Sequence, residues 1–372
     1  MWKISTMAEA SFNPVKFIST EGQEFGATVR KRVNEYFKSN KISRTGDYRI
    51  WLKVVILPLL YLAPFALILT NAFSDNLLAF YGLWVVMGVG LAGSGLSIMH
   101  DSCHGVISKN KAVNNFIGET IMNLAAGSAT NWKIQHNVLH HSYTNIDGYD
   151  EDIDPGGIMR FSPHQPKKSF YKFQVIYAWF LYGLMTFFWA TFKDFASLSK
   201  YNQKGLLKSQ NTTYGKELAK LIIQKVLYYS FFLALPILIL DVAWWHVVIG
   251  WFCMHFLAGL ILACIFQPAH VVPTSEFPLP DKDNNVEGDK VIHQMMTTAN
   301  FAPSNRVLSW YVGGLNYQIE HHLFPNICHV HYRKLSEIVK ATAKEFGLPY
   351  ISEPTFVGAL VKHGRMLYQL GR

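Results

Sequence analysis

The chain alternates long uncharged apolar runs with two long polar stretches. The apolar runs cover residues 54–73, 77–99, 175–192, 226–240 and 242–266. A helix needs about 20 consecutive apolar residues to cross the hydrocarbon layer of a bilayer. Residues 74–76 separate the first two runs and Asp241 separates the last two. Because such short links return the chain to the side from which it came, the pattern predicts four transmembrane helices in two hairpins.

The run 175–192 does not fit this pattern, because it is short, aromatic-rich and flanked by charged residues. Histidine groups lie before and after it, and if they form one site, an even number of spans must separate them. We therefore expect this run to lie in the membrane interface or to dip back. The alternative is that it spans and that a weaker run does not.

The polar stretches 100–174 and 267–372 are expected to form one folded cap of helices on the cytosolic side. Residues 1–53 contain ten Lys or Arg, whereas the hairpin links contain none. Since basic residues favour the cytoplasmic side, we predict a basic cytosolic N-terminal segment, 1–50, followed by a membrane domain, 51–372. Both termini and the cap are then cytosolic.

Composition supports a multi-pass membrane protein, since 50% of the residues are hydrophobic and the mean hydropathy is +0.12. The net charge of +9 could indicate nucleic-acid binding. Its concentration at the N-terminus favours cytosolic loops instead, and we expect no nucleic-acid partner. The cysteines are isolated, so the sequence suggests neither a disulfide framework nor a thiolate zinc site, and no cleaved signal peptide is expected.

Seven of the 15 histidines fall into three short groups, which we call the histidine boxes. Positions four apart on a helix share a face, so the members of a box can reach one metal site. Each box alone could be a solvated or structural cluster, but three boxes beside apolar hairpins indicate a common site. The boxes contain His100 and His104; His136, His140 and His141; and His321 and His322, with Gln318 preceding the last pair.

The metal is not fixed by ligand type alone, because imidazole suits zinc, copper, iron and nickel. The chain has neither the H-E-x-x-H motif of zinc proteases nor the E-x-x-H motif of soluble di-iron bundles. Seven imidazoles exceed the four ligands of a tetrahedral zinc ion and suffice for two ions with open positions. A dinuclear iron centre is predicted. His141 lies about 100° round an α-helix from His140, which suits a bridging role.

The boxes resemble those of the membrane fatty acid desaturase family. Residues 313–325, G-G-L-N-Y-Q-I-E-H-H-L-F-P, resemble the third box of the front-end and acyl-lipid branch, in which glutamine replaces the first histidine. The resemblance implies an all-α integral membrane fold that holds two iron ions at the cytosolic face. It also implies that O2 and two electrons drive the insertion of a cis double bond into a fatty acyl chain. The metal ligands it implies are His100, His104, His136, His140, His141, His270, His321 and His322, with Gln318 at the remaining box position.

The resemblance also concerns partners. The substrate would be a fatty acyl group on CoA, acyl-carrier protein or a membrane lipid. The chain has no H-P-G-G haem motif of a fused cytochrome b5 domain, so electrons are expected from a separate ferredoxin or cytochrome b5-type protein. A fatty acyl hydroxylase or related oxygenase on the same scaffold is an alternative. A membrane metal-binding or transport protein is a more remote one, since it requires ionisable residues along a path across the bilayer.

Several polar residues beside the boxes are candidates for hydrogen bonds to the second ring nitrogen of a ligand, although each alone is equally typical of a surface. They are Asp101, Asn137, Asn145, Asp150, Asp152, Asp154, Glu320 and His293. His246 and His255, inside the last apolar run, are expected to pack or to lie at headgroup level. The remaining histidines, His164, His329, His331 and His363, are expected at the surface.

Overall fold

The computed structural model describes residues 12–18 and 22–372, and within them the chain is mainly helical. Four helices are long and apolar enough to cross a membrane, in agreement with the predicted number. They are numbered in chain order as spans 1 to 4: Tyr48–Leu69, Leu77–Cys103, Tyr214–Ile239 and Trp244–His270.

Span 3 begins at Tyr214, well before residue 226, where the apolar run starts. Lys225, which interrupts the hydrophobic pattern, is buried, and its ammonium donates to two backbone carbonyl groups. The same ammonium lies 3.3 Å from the carboxylate of Asp194. Because these partners compensate the buried charge, the helix continues through it.

Span 2 packs tightly between spans 1 and 4. A Cβ atom at Gly90 would lie 2.6 Å from backbone atoms of Leu60 and Tyr61, and one at Gly88 would lie 2.7 Å from the carbonyl oxygen of Met254. Glycine at these positions lets the backbones approach closely, as in other membrane helix pairs. The two hairpins therefore form one unit.

The linking turns of both hairpins meet at one end of this unit. The side-chain amide of Asn71 donates to the carboxylate of Asp241 at 2.9 Å, and its oxygen accepts from the Asp241 backbone N–H at 2.9 Å. Spans 2 and 4 consequently both run from this end towards the polar stretches, where His100 and His270 lie.

The run 175–192 belongs to a bent helix pair, Ser169–Gly183 and Met185–Gln203, whose axes differ by 54°. At the bend, a Cβ on Gly183 would lie 2.4 Å from the ring of Phe256 on span 4. A pair bent in this way is a broken span or a re-entrant segment. The interfacial placement stays a prediction.

The polar stretches fold into a cap of short helices. Helix Gln23–Ser39 packs through Phe25, Val29 and Val33 onto helix Tyr332–Glu345. Two parallel pairs of two-residue strands interrupt the all-α pattern: Lys16–Phe17 with Asn285–Val286, and Asn300–Phe301 with Ser352–Glu353. The other helices outside the spans and the bent pair are Lys111–Leu124, Ala129–Trp132, Lys133–His140, His141–Tyr143, Glu151–Ile153, Leu206–Gln210, Lys290–Met296, Arg306–Tyr311, Gln318–Leu323, His329–His331 and Phe356–Gly371.

Candidate metal centre

The first box lies where span 2 enters the cap. The span changes from α-helix to a π-helical turn over Ser94–Met99, and a last α-helical turn, His100–Cys103, follows. His100 is buried and His104 is half-buried, and their ring centroids are 4.7 Å apart. The predicted sharing of one helix face is confirmed for this pair.

The second box lies on a π-helical turn, Lys133–His140, that the sequence pattern did not predict. A π-helix turns by roughly 80° per residue, because its hydrogen bonds join residues five apart. Viewed down the helix axis, the side chains of His140 and His141 therefore point to either side of the His136 side chain, each rotated from it by less than roughly 50°. In an α-helix, His141 would point away from the other two. The wider turn brings all three imidazoles to one site.

The third box lies on a short cap helix, Gln318–Leu323, next to the end of span 4. His321 and His322 are both buried there, and His270 is the last residue of the span. Gln318 is buried too, and its Nε2 has no hydrogen-bond partner within residues 12–18 and 22–372. A metal-binding role for Gln318 stays a prediction.

One group of side chains that could hold a metal ion contains His100, His104, His136 and His321. The Nε2 atom of His321 lies 3.2 Å from that of His100 and 3.4 Å from that of His136. His141 approaches the same atom at 2.9 Å. Two nitrogens bound about 2.1 Å from one ion at angles of 90–110° are about 3.0–3.4 Å apart. Since one imidazole nitrogen carries at most one proton, it cannot hydrogen-bond to all three neighbours, and the spacing fits a metal instead.

A second group contains His140, His270 and His322, each of which offers a nitrogen within 4.8 Å of the others. The Nε2 atoms of His270 and His322 have no hydrogen-bond partner among the described residues. Buried polar atoms are normally paired, so such atoms indicate a missing ligand or water. His141 also groups with His321 and His322, and thus lies between the two sets of nitrogens.

Asp150 orients a ligand candidate of the second group. Both of its carboxylate oxygens lie 3.0 Å from Nδ1 of His140, and they also accept backbone N–H groups of Asn145 and Asp152. Asp150 is 2% exposed. A carboxylate on Nδ1 holds the proton there and leaves Nε2 free for a metal.

Three further contacts to second ring nitrogens come from residues that the sequence analysis missed. The Nδ1 of His321 lies 3.2 Å from the Tyr332 hydroxyl, and that of His270 lies 3.2 Å from the Thr297 carbonyl oxygen. The Nδ1 of His322 lies 2.7 Å from Oε1 of Gln294. None of the three contact residues belongs to a recognisable motif, so no sequence signal identifies them.

The expectation of a surface position for His329 is wrong. Its Nδ1 lies 2.7 Å from the carboxylate of Asp101, and its Nε2 lies 2.7 Å from the ammonium of Lys53. All three residues are buried. Asp101 has only a 3.5 Å contact with Nδ1 of the adjacent His100. The carboxylate therefore joins span 1, span 2 and the cap more than it orients its neighbour.

Two other histidines expected at the surface are also buried. His331 is 6% exposed and its ring packs edge-on against Phe37. His363 is 0% exposed and bonds to the Tyr182 hydroxyl and the Val271 carbonyl oxygen. Both expectations were wrong because aromatic and carbonyl partners distant in sequence cover these rings. His164 is exposed, as expected.

The intramembrane histidines and the polar residues beside the boxes divide into those that contact the site and those that do not. His255 packs against Tyr228, as expected, with 2.6 Å between Nε2 and the hydroxyl. Glu320 faces away from the site towards Asn300 and Tyr350, and Asp154 is exposed. His293 makes no hydrogen bond to a box histidine among the described residues; its neighbour Gln294 does.

Two amides expected at second ring nitrogens instead bond to backbone carbonyl groups in the described residues. The side-chain amide of Asn137 donates to the carbonyl oxygen of Cys103 at 3.0 Å, next to the first box. The side-chain amide of Asn145 donates to the carbonyl oxygen of His270 at 3.1 Å. Both amides tie the backbone of the second box to the end of a span.

Burial sets the protonation of most box histidines in the cap. It lowers the pKa of His136, His141, His321 and His322 well below the usual range, and neighbouring imidazoles lower each further. Burial lowers the pKa of His140 as well, but the carboxylates of Asp150 and Asp152 outweigh this effect and raise that pKa to about 9. Neutral imidazoles are the metal-binding form.

Comparison with known proteins agrees with this geometry. Residues 76–354 match the family model described as fatty acid desaturase. A relative from Synechocystis sp., the sn-1 linoleoyl-lipid 6-desaturase, is 34% identical over 96% of this chain and 98% of its own length. The sn-1 linoleoyl-lipid 6-desaturase of Arthrospira platensis is 34% identical over 90% of this chain and 89% of its own. The acyl-lipid (8-3)-desaturase of Physcomitrium patens is 34% identical over 96% of this chain and 74% of its own. The chain therefore belongs to the fatty acid desaturase family, the membrane oxidoreductases that introduce double bonds into fatty acyl chains.

Proposed function

We propose that this protein is a di-iron, O2-dependent desaturase that acts on the acyl chains of membrane lipids. The observation that carries the proposal is the convergence of eight histidines from the three boxes and the end of span 4 on two adjacent groups of ring nitrogens. Eight imidazole nitrogens would provide about four ligands for each of two ions. This leaves coordination positions open, which suits iron that reacts with O2 better than a closed structural zinc site.

Bound iron would supply the redox chemistry that activates O2 towards an unactivated C–H bond. The protein residues hold the site for it. His100, His104, His136, His140, His141, His270, His321 and His322 are the proposed ligands. Asp150 keeps the proton of His140 on Nδ1, and Trp132 stacks on His136 with 4.5 Å between ring centroids. These contacts fix ring orientations and exclude water from one side of the site.

The acyl carrier is proposed to be a membrane lipid rather than CoA or acyl-carrier protein. The relatives from Synechocystis and Arthrospira are named as linoleoyl-lipid desaturases, and the former aligns over nearly its whole length. The relatives from Synechocystis and Arthrospira are named as 6-desaturases, and we propose a cis double bond near the carboxyl end of the chain.

The active site and both termini are proposed to face the cytosol. The basic residues before span 1 favour that side, and an even number of spans would return the chain to it. Removing two hydrogens from the acyl chain while O2 is reduced to two waters requires two further electrons and two protons. We propose a separate ferredoxin or cytochrome b5-type protein as the electron source.

Expression in a host with defined lipids, followed by mass spectrometry of the fatty acids, tests the proposal. We expect a product lighter by two hydrogens than its precursor and esterified in a lipid. His140→Ala should abolish this product, while His164→Ala, at an exposed position, should retain it. A product with one added oxygen would instead identify a hydroxylase. Metal uptake into vesicles without any new fatty acid would indicate a transporter.

A further inference from the structure

Gln294 is a buried amide that connects two histidine boxes. It lies on helix Lys290–Met296 and is 2% exposed. Its Oε1 lies 2.7 Å from Nδ1 of His322, in the third box. Its Nε2 donates to the backbone carbonyl oxygen of His141, in the second box, at 3.1 Å. One side chain thus spans two segments that are far apart in the sequence.

The hydrogen bonds allow only one orientation of this amide. The carbonyl oxygen of His141 can only accept, so it requires the NH2 group of Gln294, and Oε1 must then face His322. Because Oε1 can only accept, Nδ1 of His322 must carry the proton. Nε2 of His322 is left with a free lone pair, and it has no hydrogen-bond partner among the described residues. That lone pair faces the group formed with His140 and His270.

The three ligand candidates of this group differ in what holds their second nitrogen. His140 is held by the carboxylate of Asp150, and His270 by the backbone carbonyl of Thr297. His322 is held by a neutral amide. An anionic partner makes an imidazole a stronger electron donor than a neutral one does. A neutral partner on His322 therefore limits the electron density that this ligand gives to a metal.

We propose that Gln294 is a positioning residue that fixes the tautomer and ring orientation of His322 and tunes the metal held by His140, His270 and His322. The inference rests on the proposed di-iron function. Loss of a hydrogen bond to the second ring nitrogen of a ligand histidine typically lowers metal affinity or activity ten- to hundredfold. The Thr144 hydroxyl lies 3.1 Å from Oε1 of Gln294 and 3.3 Å from Nδ1 of His322, so it supports the shorter amide contact.

Two substitutions separate this role from mere packing. Gln294→Met keeps the length of the side chain but removes the amide acceptor 2.7 Å from Nδ1 of His322, and it leaves only the longer 3.3 Å contact with the Thr144 hydroxyl. Gln294→Glu restores an acceptor and adds charge. We expect Gln294→Met to bind the iron ion held by His140, His270 and His322 ten- to hundredfold more weakly. We expect Gln294→Glu to retain both ions, with a lower reduction potential than the wild type. Lys290→Gln, at an exposed position on the same helix, is the control and should match the wild type.

The measurements are iron per protein after chelator competition, Mössbauer spectra and a redox titration of the purified full chain. Two ions of unchanged affinity and unchanged spectra in Gln294→Met would overturn the inference, as would an unchanged potential in Gln294→Glu. If Gln294→Met does not fold, the potential of Gln294→Glu decides. A wild-type protein that binds no iron would overturn the proposed function instead, so the two failures are distinguishable.

Discussion

Replacing Asp150 with alanine tests the metal site without touching a ligand candidate. The substitution removes a buried carboxylate whose two oxygens both lie 3.0 Å from Nδ1 of His140. Without it, the carboxylate of Asp152, 3.5 Å from Nδ1, is the remaining anionic partner of the His140 proton among the described residues, and the ring can turn or change tautomer more easily. Loss of such a contact typically weakens metal binding ten- to hundredfold, which corresponds to about 1.4–2.8 kcal/mol.

The same carboxylate also contributes to folding. A hydrogen bond to a charged group contributes about 1.5–3 kcal/mol to stability, and Asp150 is 2% exposed. The assay is competition between the purified protein and a chelator of known iron affinity, with iron counted by mass spectrometry. Because Asp150 also accepts two backbone N–H groups, the melting temperature is measured alongside.

The control for Asp150 lies four residues further along the chain. Asp154 is exposed, and among the described residues its carboxylate accepts only the nearby backbone N–H of Gly156. Asp154→Ala should keep the wild-type iron affinity. If Asp150→Ala folds and binds iron as tightly as Asp154→Ala does, the orienting role of Asp150 is refuted.

Three further outcomes follow from other parts of the structure. Burial lowers the pKa of His363 from 6.5 to about 4. Between these pH values the folded state binds fewer protons than the unfolded state. The unfolding free energy should therefore fall by up to about 3 kcal/mol as the pH drops from 6.5 to about 4. His363→Gln should flatten the dependence of the melting temperature on pH there, and an equally steep curve would contradict this. Gly90→Ala should lower the unfolding free energy by about 1–3 kcal/mol, because the new Cβ meets the backbone of span 1. Gly82→Ala, whose Cβ would meet no neighbouring helix or side chain of residues 12–18 and 22–372 within 4 Å, should leave denaturant unfolding unchanged, and equal effects would refute the packing argument. His329→Ala should cost about 1.5–3 kcal/mol in the same assay, because it removes the 2.7 Å hydrogen bond from the His329 ring to the buried carboxylate of Asp101, and a loss below 1 kcal/mol would argue against that pairing.

The spans and the boxes could be predicted because their signals are local in the sequence. Runs of apolar residues identify helices that cross a membrane, and the spacing of His100 and His104 shows that they share a face. The predicted start of span 3 was too late because the charge of Lys225 ended the apolar run. Its compensating partner, Asp194, belongs to another helix. A hydropathy pattern records a charge but not its neighbours.

The contacts that orient the ligand candidates could not be predicted for the same reason. Asp101 and His329 are 228 residues apart, and Gln294 and His141 are 153 apart. Each pair meets only after the spans and the cap have packed. A lone glutamine or histidine in a polar stretch therefore has no pattern that separates it from a surface residue.

The π-helical turn of the second box allows one short helix to present three histidines to the same site instead of two. A single π-helical turn is equivalent to one residue inserted into an α-helix, while the α-helical winding on either side is unchanged. Removing one residue between His136 and His140 would restore ordinary winding and change the histidine spacing from four and five residues to three and four. His140 and His141 can therefore both reach the site only because of this one inserted residue. The free energy lost in the less favourable helical winding would be recovered when an ion is bound.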